Sequence, residues 1–289
     1  GVVPYFQGFR VQEEDTISED RGLAEEVMED EWLDIAVVHL PHISNFTDFD
    51  PLEDEPDVRL SYVGRGNRLG RPDLVIIPGS KNTIEDLYFL KRSGLAARIV
   101  ELNRAGTPVV GICGGFQMLG AELSDPLHTE SEIPRMEGLG LLNISTTFYS
   151  EKVTTQVEAE VAGTGPLLEG IKGCRVAGYE IHMGKTKLEA GVYPAFIITE
   201  SSGRKAHSPD GAVSRDGLVF GTYIHGIFDS SDFRRRVLNN LRARKGLRPL
   251  APATSVPAFE QRNKDLDKLA AVVRGSLDME KIYALMGLK

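Results

Sequence analysis

Cysteine is nearly absent: Cys113 and Cys174 are the only two in 289 residues. No disulfide framework can brace such a chain, and a reducing, cytoplasmic setting is expected. Long apolar runs are missing as well. No stretch approaches the roughly eighteen apolar residues of a transmembrane helix, and the opening GVVPYFQGFR has neither the basic nor the apolar part of a secretory signal. Positive charge is in deficit, with 33 Lys and Arg against 42 Asp and Glu, for a formal net charge of −9. That balance speaks against nucleic acid as a partner, and no membrane partner is expected either. The densest basic stretch, Arg234 to Arg236 with Arg242 and Arg244, is expected to be the solvated face of a surface helix. No internal repeat is visible.

What is present is an alternation of buried strands and helices. DIAVVHLPHI and DLVIIPGS are continuous apolar runs of the kind that form parallel strands covered on both faces. Between them, NFTDFDPLEDEPD reads as a loop. Residues 83 to 105 have helical spacing, broken at Gly94 into two shorter helices. TPVVGIC is a third strand, followed by a helix over GFQMLGAEL. This order implies an α/β fold with a mainly parallel sheet and helices on both faces. From about residue 139 the runs become short and β-type (STTFYS, KVTTQVEAEV, GYEIHMG, PAFIITE, GAVSRDG, LVFGTYIHG), so an antiparallel or mixed portion is expected. A helix over SSDFRRRVLNNLRARKG and a Pro-rich link, LRPLAPATSVP, precede a terminal amphipathic helix with Leu266, Leu269, Ala270 and Val273 on one face. Residues 11 to 31 hold ten acidic side chains and one basic one, Arg21, and read as a linker or an exposed acidic helix. The domain reading is 1–33 as a remnant strand end and linker, 34–245 as the main domain, and 246–289 as link and helix.

One cysteine stands where chemistry would need it. In VVGICGGFQMLG a strand must turn at once into a helix, with Gly111, Gly114 and Gly115 around Cys113. Nucleophiles are displayed on such turns, and glycines admit the strained backbone and the crowding strands. The helix start favours thiolate over thiol. Cys113 is therefore read as a nucleophile, and Cys174, in IKGCRVAG, as a structural cysteine. A cysteine nucleophile needs a base. Of the six histidines, His225 ends a β-type run, which puts it at the sheet edge where Cys113 should sit; His182 is its rival, and His39 and His42 follow the first strand toward the same edge.

With GICGGFQMLG followed far downstream by GTYIHGIFD, the chain resembles the class I glutamine amidotransferases, whose elbow reads G-x-C-x-G-x-Q and whose catalytic histidine lies on a late strand. The resemblance implies their flavodoxin-like fold, with Cys113 and His225 catalytic. It also implies an oxyanion and glutamine-binding region at Gly79, Ser80 and Gly114 with Gln117, and L-glutamine as substrate. GVVPY, LPHISNFTDFDPL, IIPGSKNTIEDL, GYEIHMGKT and LDKLAAVVRGSLD together resemble the cobyric acid synthase branch. That implies ammonia delivery for amidation of a corrinoid, adenosylcobyrinic acid a,c-diamide, with ATP and Mg on an N-terminal synthetase domain and no cofactor or metal in this chain. The glutaminase of another amidating ligase, or a silent docking module, are the alternatives.

Two departures matter. The family's usual His-x-Glu is absent, because Ile227 stands two residues after His225. A Cys113–His225 dyad is therefore expected, with Glu180, His182 or Asp229 as possible auxiliaries and a slow or partner-dependent glutaminase as the consequence. No Walker A loop is found either. The GKT of GYEIHMGKT follows Gly178 with five intervening residues before Gly184, where four are required. The chain opens on Gly, and GVVPY is read as the last strand of the synthetase domain.

Overall fold

The computed structural model describes residues 1–4, 31–65, 69–251 and 258–288. It divides into two units, Gly1–Thr16 with Thr254–Lys289, and Ile17–Ala253. Most of the expected acidic linker and residues 252–257 of the Pro-rich link lie outside the described residues. In the smaller unit, Gly1–Pro4 are exposed and form no strand. The expected terminal helix spans Ala258–Ser276, and a second, Met279–Leu285, follows it with Asp278 as its cap, accepting from Lys281 N at 3.1 Å. No described helix is long and apolar enough to cross a membrane.

The larger unit is organised by a six-stranded sheet in the order Ala212–Val213, Val219–Thr222, Val109–Ile112, Leu74–Ile77, Leu33–Val38, Val58–Val63. Every neighbouring pair is parallel except Ala212–Val213 with Val219–Thr222. The central runs LVII, VVGI and VFGT are buried at every position, as parallel strands covered on both faces must be. Each buried Val, Leu, Ile or Phe among them contributes about 1.5–3 kcal/mol by leaving water. Val58–Val63 was not expected. Its VRLSYV alternates buried and exposed positions, as an edge strand does, and continues a polar loop in sequence. Because the strands are parallel, their carboxyl ends share one edge, and the chain leaves that edge at His39, Pro78, Cys113 and Tyr223. Open α/β sheets bind ligands there.

The helical stretch divides as expected into Thr83–Ser93 and Leu95–Arg104. Gly94 adopts φ 81°, the left-handed conformation that ends the first helix. Asn82 caps that helix by accepting from Glu85 N at 3.1 Å. The helix after Cys113 is shorter than expected, Gly114–Met118 only. At Gly120 a Cβ would stand 2.9 Å from Ile144 O, and Glu122–Ser124 pairs as a strand with Ile144–Val161 instead. That long strand absorbs two of the expected short ones.

Ile144–Val161 and Arg175–Leu188 form the antiparallel centre of a second sheet, flanked by Phe196–Ser201 and Arg204–Asp210 on one side and by Ile224–His225 on the other. Pairing jumps from His182–Val153 to Gly184–Phe148, so residues 149–152 bulge opposite Met183 alone. Gly178 to Thr186 lie wholly in the Arg175–Leu188 strand and form no phosphate-cradling loop.

The basic helix, Ser231–Lys245, differs from its expected solvated face. Arg234, Arg235 and Arg242 are buried. Arg234 Nε donates to Glu55 at 2.6 Å, Arg235 pairs with both Glu55 and Asp57, and Arg242 donates to Asp57 at 3.0 Å. The acidic loop after the first strand supplies these counter-charges, without which the guanidinium groups could not be buried.

Candidate active site

Cys113 caps the Val109–Ile112 strand with φ 51° and ψ −108°. For a non-glycine residue this conformation costs on the order of 1–3 kcal/mol, stored only where the surroundings enforce it. They do. Its N–H donates to Thr222 O at 2.8 Å, and the flanking glycines leave no room for side chains. A Cβ on Gly115 would lie 2.0 Å from Ile77 O, and one on Gly111 would lie 2.6 Å from Leu119 Cδ1. Cys113 Sγ donates to Ile181 O at 3.4 Å, from the strand that crosses over the elbow.

His225 reaches the same place from the Ile224–His225 strand. Its ring stacks on Tyr179, with centroids 5.2 Å apart, and is buried. Nδ1 lies 2.7 Å from Asp48 Oδ2, and Asp48 Oδ1 accepts from Gly226 N at 2.9 Å. Asn45 Nδ2 lies 3.2 Å from Nε2. Burial opposes a charge on the ring, but the Asp48 carboxylate and the hydrogen bond with Cys113 outweigh it, and His225 is pushed up to about 10. The Asp48 carboxylate therefore favours the charged form of the His225 ring.

Asp48 was missed by sequence reasoning. The position against Nδ1, left empty by Ile227, is filled from 177 residues upstream. Glu180 and Asp229, the candidates near His225 in sequence, do not take it. Glu180 lies 3.9 Å from His182 Nε2, and Asp229 sits on the turn Ile227–Asp229. The available signal was topological: NFTDF follows a strand whose carboxyl end faces the Cys113 edge.

Gly79 and Ser80 form a short strand paired with Ile43–Ser44. A Cβ on Gly79 would meet His225 Cε1 at 3.0 Å, and one on Gly114 would meet Ser80 N at 3.0 Å, so the three backbones converge beside Cys113. Ser80 Oγ is committed elsewhere, donating to Asp86 Oδ2 at 2.6 Å; the same buried carboxylate lies 2.8 Å from His42 Nδ1. What this segment offers the site is backbone. Gln117 is buried below, its Oε1 accepting from Thr83 Oγ1 at 3.2 Å and its Nε2 donating to Tyr223 OH at 3.2 Å.

His182 stacks on Tyr223 with centroids 3.8 Å apart and donates from Nδ1 to Gly184 O at 2.9 Å. Burial holds its pKa below the ordinary value. Beside it, burial and Asp210 push Glu180 up to about 7, and burial brings Asp210 to about 6. Cys174 is remote in kind: half-buried, donating to Asp232 Oδ2 at 3.4 Å, and pushed up to about 11 by burial and that carboxylate. Among the described residues no cluster of three or more His, Cys, Asp or Glu side chains is arranged to hold a metal ion.

A cysteine on a strand-to-helix elbow, a histidine from a late strand and converging backbone amides at the carboxyl edge of a parallel sheet define a class: the fold is that of the class I glutamine amidotransferases. A chain in the structure of PurLQS from Thermotoga maritima aligns at TM-score 0.54, with 20% identity, over 73% of this chain and 99% of that one. A crystal structure titled as a glutamine amidotransferase aligns at 0.50, with 17% identity, over 74% and 99%. Within the class, residues 34–233 match the CobB/CobQ-like glutamine amidotransferase domain, and the chain belongs to that family. It is 48% identical to a cobyric acid synthase of Pelotomaculum thermopropionicum over 100% of its length, and 47% identical to one of Dehalococcoides mccartyi over 99%. It spans only 55% of each of those proteins.

Proposed function

We propose that this chain is the glutamine-hydrolysing portion of a cobyric acid synthase, with Cys113 as nucleophile, His225 as acid and base, and Asp48 as the group that orients His225. The observation that carries the reading is the buried series Cys113–His225–Asp48, assembled from three separate chain segments at one sheet edge. The Cys113 thiolate attacks the side-chain amide carbon of glutamine. N–H groups of Gly114 and the Gly79–Ser80 segment take the developing oxyanion, each donor worth ~3–4 kcal/mol in such sites. The His225 imidazolium gives its proton to the amide nitrogen, the C–N bond breaks and ammonia leaves. The neutral imidazole then takes a proton from water as it attacks the thioester, releasing glutamate and restoring the thiolate. Asp48 fixes the Nδ1–H tautomer throughout.

The relatives' name and the extent of the likeness support the rest. Ammonia passes to an ATP-using synthetase domain, which amidates the b, d, e and g carboxylates of adenosylcobyrinic acid a,c-diamide. Glutamate release that is lost in Cys113→Ala and rises with synthetase domain, ATP and corrinoid would support the whole scheme. Release without any response to corrinoid would leave a glutaminase of another ligase, and no release under any condition would overturn the enzymatic reading.

A further inference from the structure

A fully buried carboxylate, Asp86, stands behind the site and takes no part in the scheme above. It lies in the first turn of the Thr83–Ser93 helix, whose cap is Asn82. The donors to its carboxylate come from two other segments. Ser80 Oγ donates to Oδ2 at 2.6 Å, His42 N donates to both oxygens at 3.2 Å, and His42 Nδ1 lies 2.8 Å from Oδ1. Hydrogen bonds to a charged, buried acceptor are the strong kind.

Both segments belong to the site. Ser80 is in the Gly79–Ser80 strand. A Cβ on Gly79 would stand 2.6 Å from Ser44 Oγ and 3.0 Å from His225 Cε1, and one on Gly114 would stand 3.0 Å from Ser80 N. A displacement of this backbone is therefore felt at both the elbow and the His225 ring. His42 opens the turn that continues through Ile43–Ser44 to Asn45 and Asp48, two side chains that lie against the His225 ring. The segments also meet each other, pairing Ile43 with Ser80 and Ser44 with Gly79, while Lys81 N donates to His42 O at 2.8 Å. Two strands of two residues are too short to hold themselves. Asp86 ties them to the helix, with Ser80 on one side and His42 on the other.

We propose that Asp86 is a positioning residue shared by both halves of the site: through Ser80 it sets the backbone that faces the reacting amide carbonyl, and through His42 it sets the turn that brings Asp48 to His225. This rests on the glutaminase reading. The two arms use different donors, so each can be cut alone. Loss of the Ser80 hydroxyl misplaces the oxyanion donors and leaves the Asp48–His225 pair intact. Loss of the His42 ring loosens Asp48. Loss of the Asp86 carboxylate does both.

The test compares Ser80→Ala, His42→Ala, Asp86→Ala and Asp86→Asn in the full chain. In kinetics, kcat should fall about tenfold in each single-arm variant and about a hundredfold in Asp86→Ala, the scale of a 1 Å misplacement, with KM for glutamine within about threefold of the parent. A second readout needs no turnover. The ring resonances of His225 should titrate at lower pH in Asp86→Ala and His42→Ala, and at the parent value in Ser80→Ala. His42→Ala removes no negative charge, so a downward move there reports a displaced Asp48. Asp86→Asn loses the charge but keeps an acceptor, so it should move His225 less than Asp86→Ala does. Equal shifts in those two variants would make the effect one of charge rather than position and overturn the proposal. So would a His225 titration that His42→Ala leaves unchanged, or a folded Ser80→Ala with the parent kcat. If Asp86→Ala fails to fold, the two single-arm variants decide. If the parent hydrolyses no glutamine, the glutaminase reading fails, and the His225 titrations alone decide whether Asp86 positions Asp48.

Discussion

Two cysteines sit in one chain under opposite electrostatics. Cys174 lies against a carboxylate, Asp232, and keeps its proton. Cys113 lies against an imidazole that Asp48 holds in its charged form. Burial does not single out the proposed nucleophile, because Cys113 is the more buried of the two. What sets the two apart is the sign of the neighbouring charge and a strained elbow that only the first cysteine has.

The comparison breaks most visibly by deletion. Cys113→Ala is expected to lower glutamine hydrolysis by on the order of 10⁴-fold or more, as removal of a nucleophile from a cooperating set does. Cys174→Ala should leave the rate unchanged, and glutamate release measured side by side checks both. Asp48→Asn comes next. Its neutral amide stabilises neither the Nδ1–H tautomer nor the imidazolium, and a loss on the order of 10³–10⁴-fold in kcat is expected. Ring resonances of His225 should then titrate well below the value of about 10 in the parent chain.

The sign of the pH effect on stability follows from the same pair. A raised His225 contributes stability fully present below its unfolded value near 6.5 and lost as pH rises through about 10. Thermal melts above pH 8 should therefore fall more steeply for the parent than for Asp48→Asn.

Smaller effects sharpen the contrast. Asp232→Asn removes the carboxylate that holds the Cys174 proton, so alkylation of Cys174 at pH 9 should quicken by severalfold with no change at Cys113. Glu180, neutral in the fold up to about 7, should favour folding below its ordinary 4.5 and lose that contribution as pH rises through 7. Glu180→Gln should flatten the stability profile in that window, as read by denaturant midpoints from pH 5 to 8.

Local patterns made much of this legible in the sequence. The buried strands, the break at Gly94 and the elbow at Cys113 all rest on a few adjacent residues whose sterics act at short range. Asp48 rests on topology: it reaches His225 from a loop 177 residues away in sequence. The arginines of the Ser231–Lys245 helix misled for the same reason, since the charges that bury them, Glu55 and Asp57, come from the far end of the unit's sequence. Asp48 also removes one ground for expecting a feeble glutaminase, because the imidazole does have an orienting carboxylate.

Whether Asp48 and His225 activate Cys113 is read from the rate at which a glutamine-analogue diazo-ketone labels each cysteine, mapped by peptide mass at pH 7 in the parent chain and in Asp48→Asn. Labelling is expected at Cys113 alone in the parent, slowed by at least a hundredfold in Asp48→Asn, with Cys174 silent in both. Labelling chiefly at Cys174, or Cys113 labelling indifferent to Asp48, would contradict it.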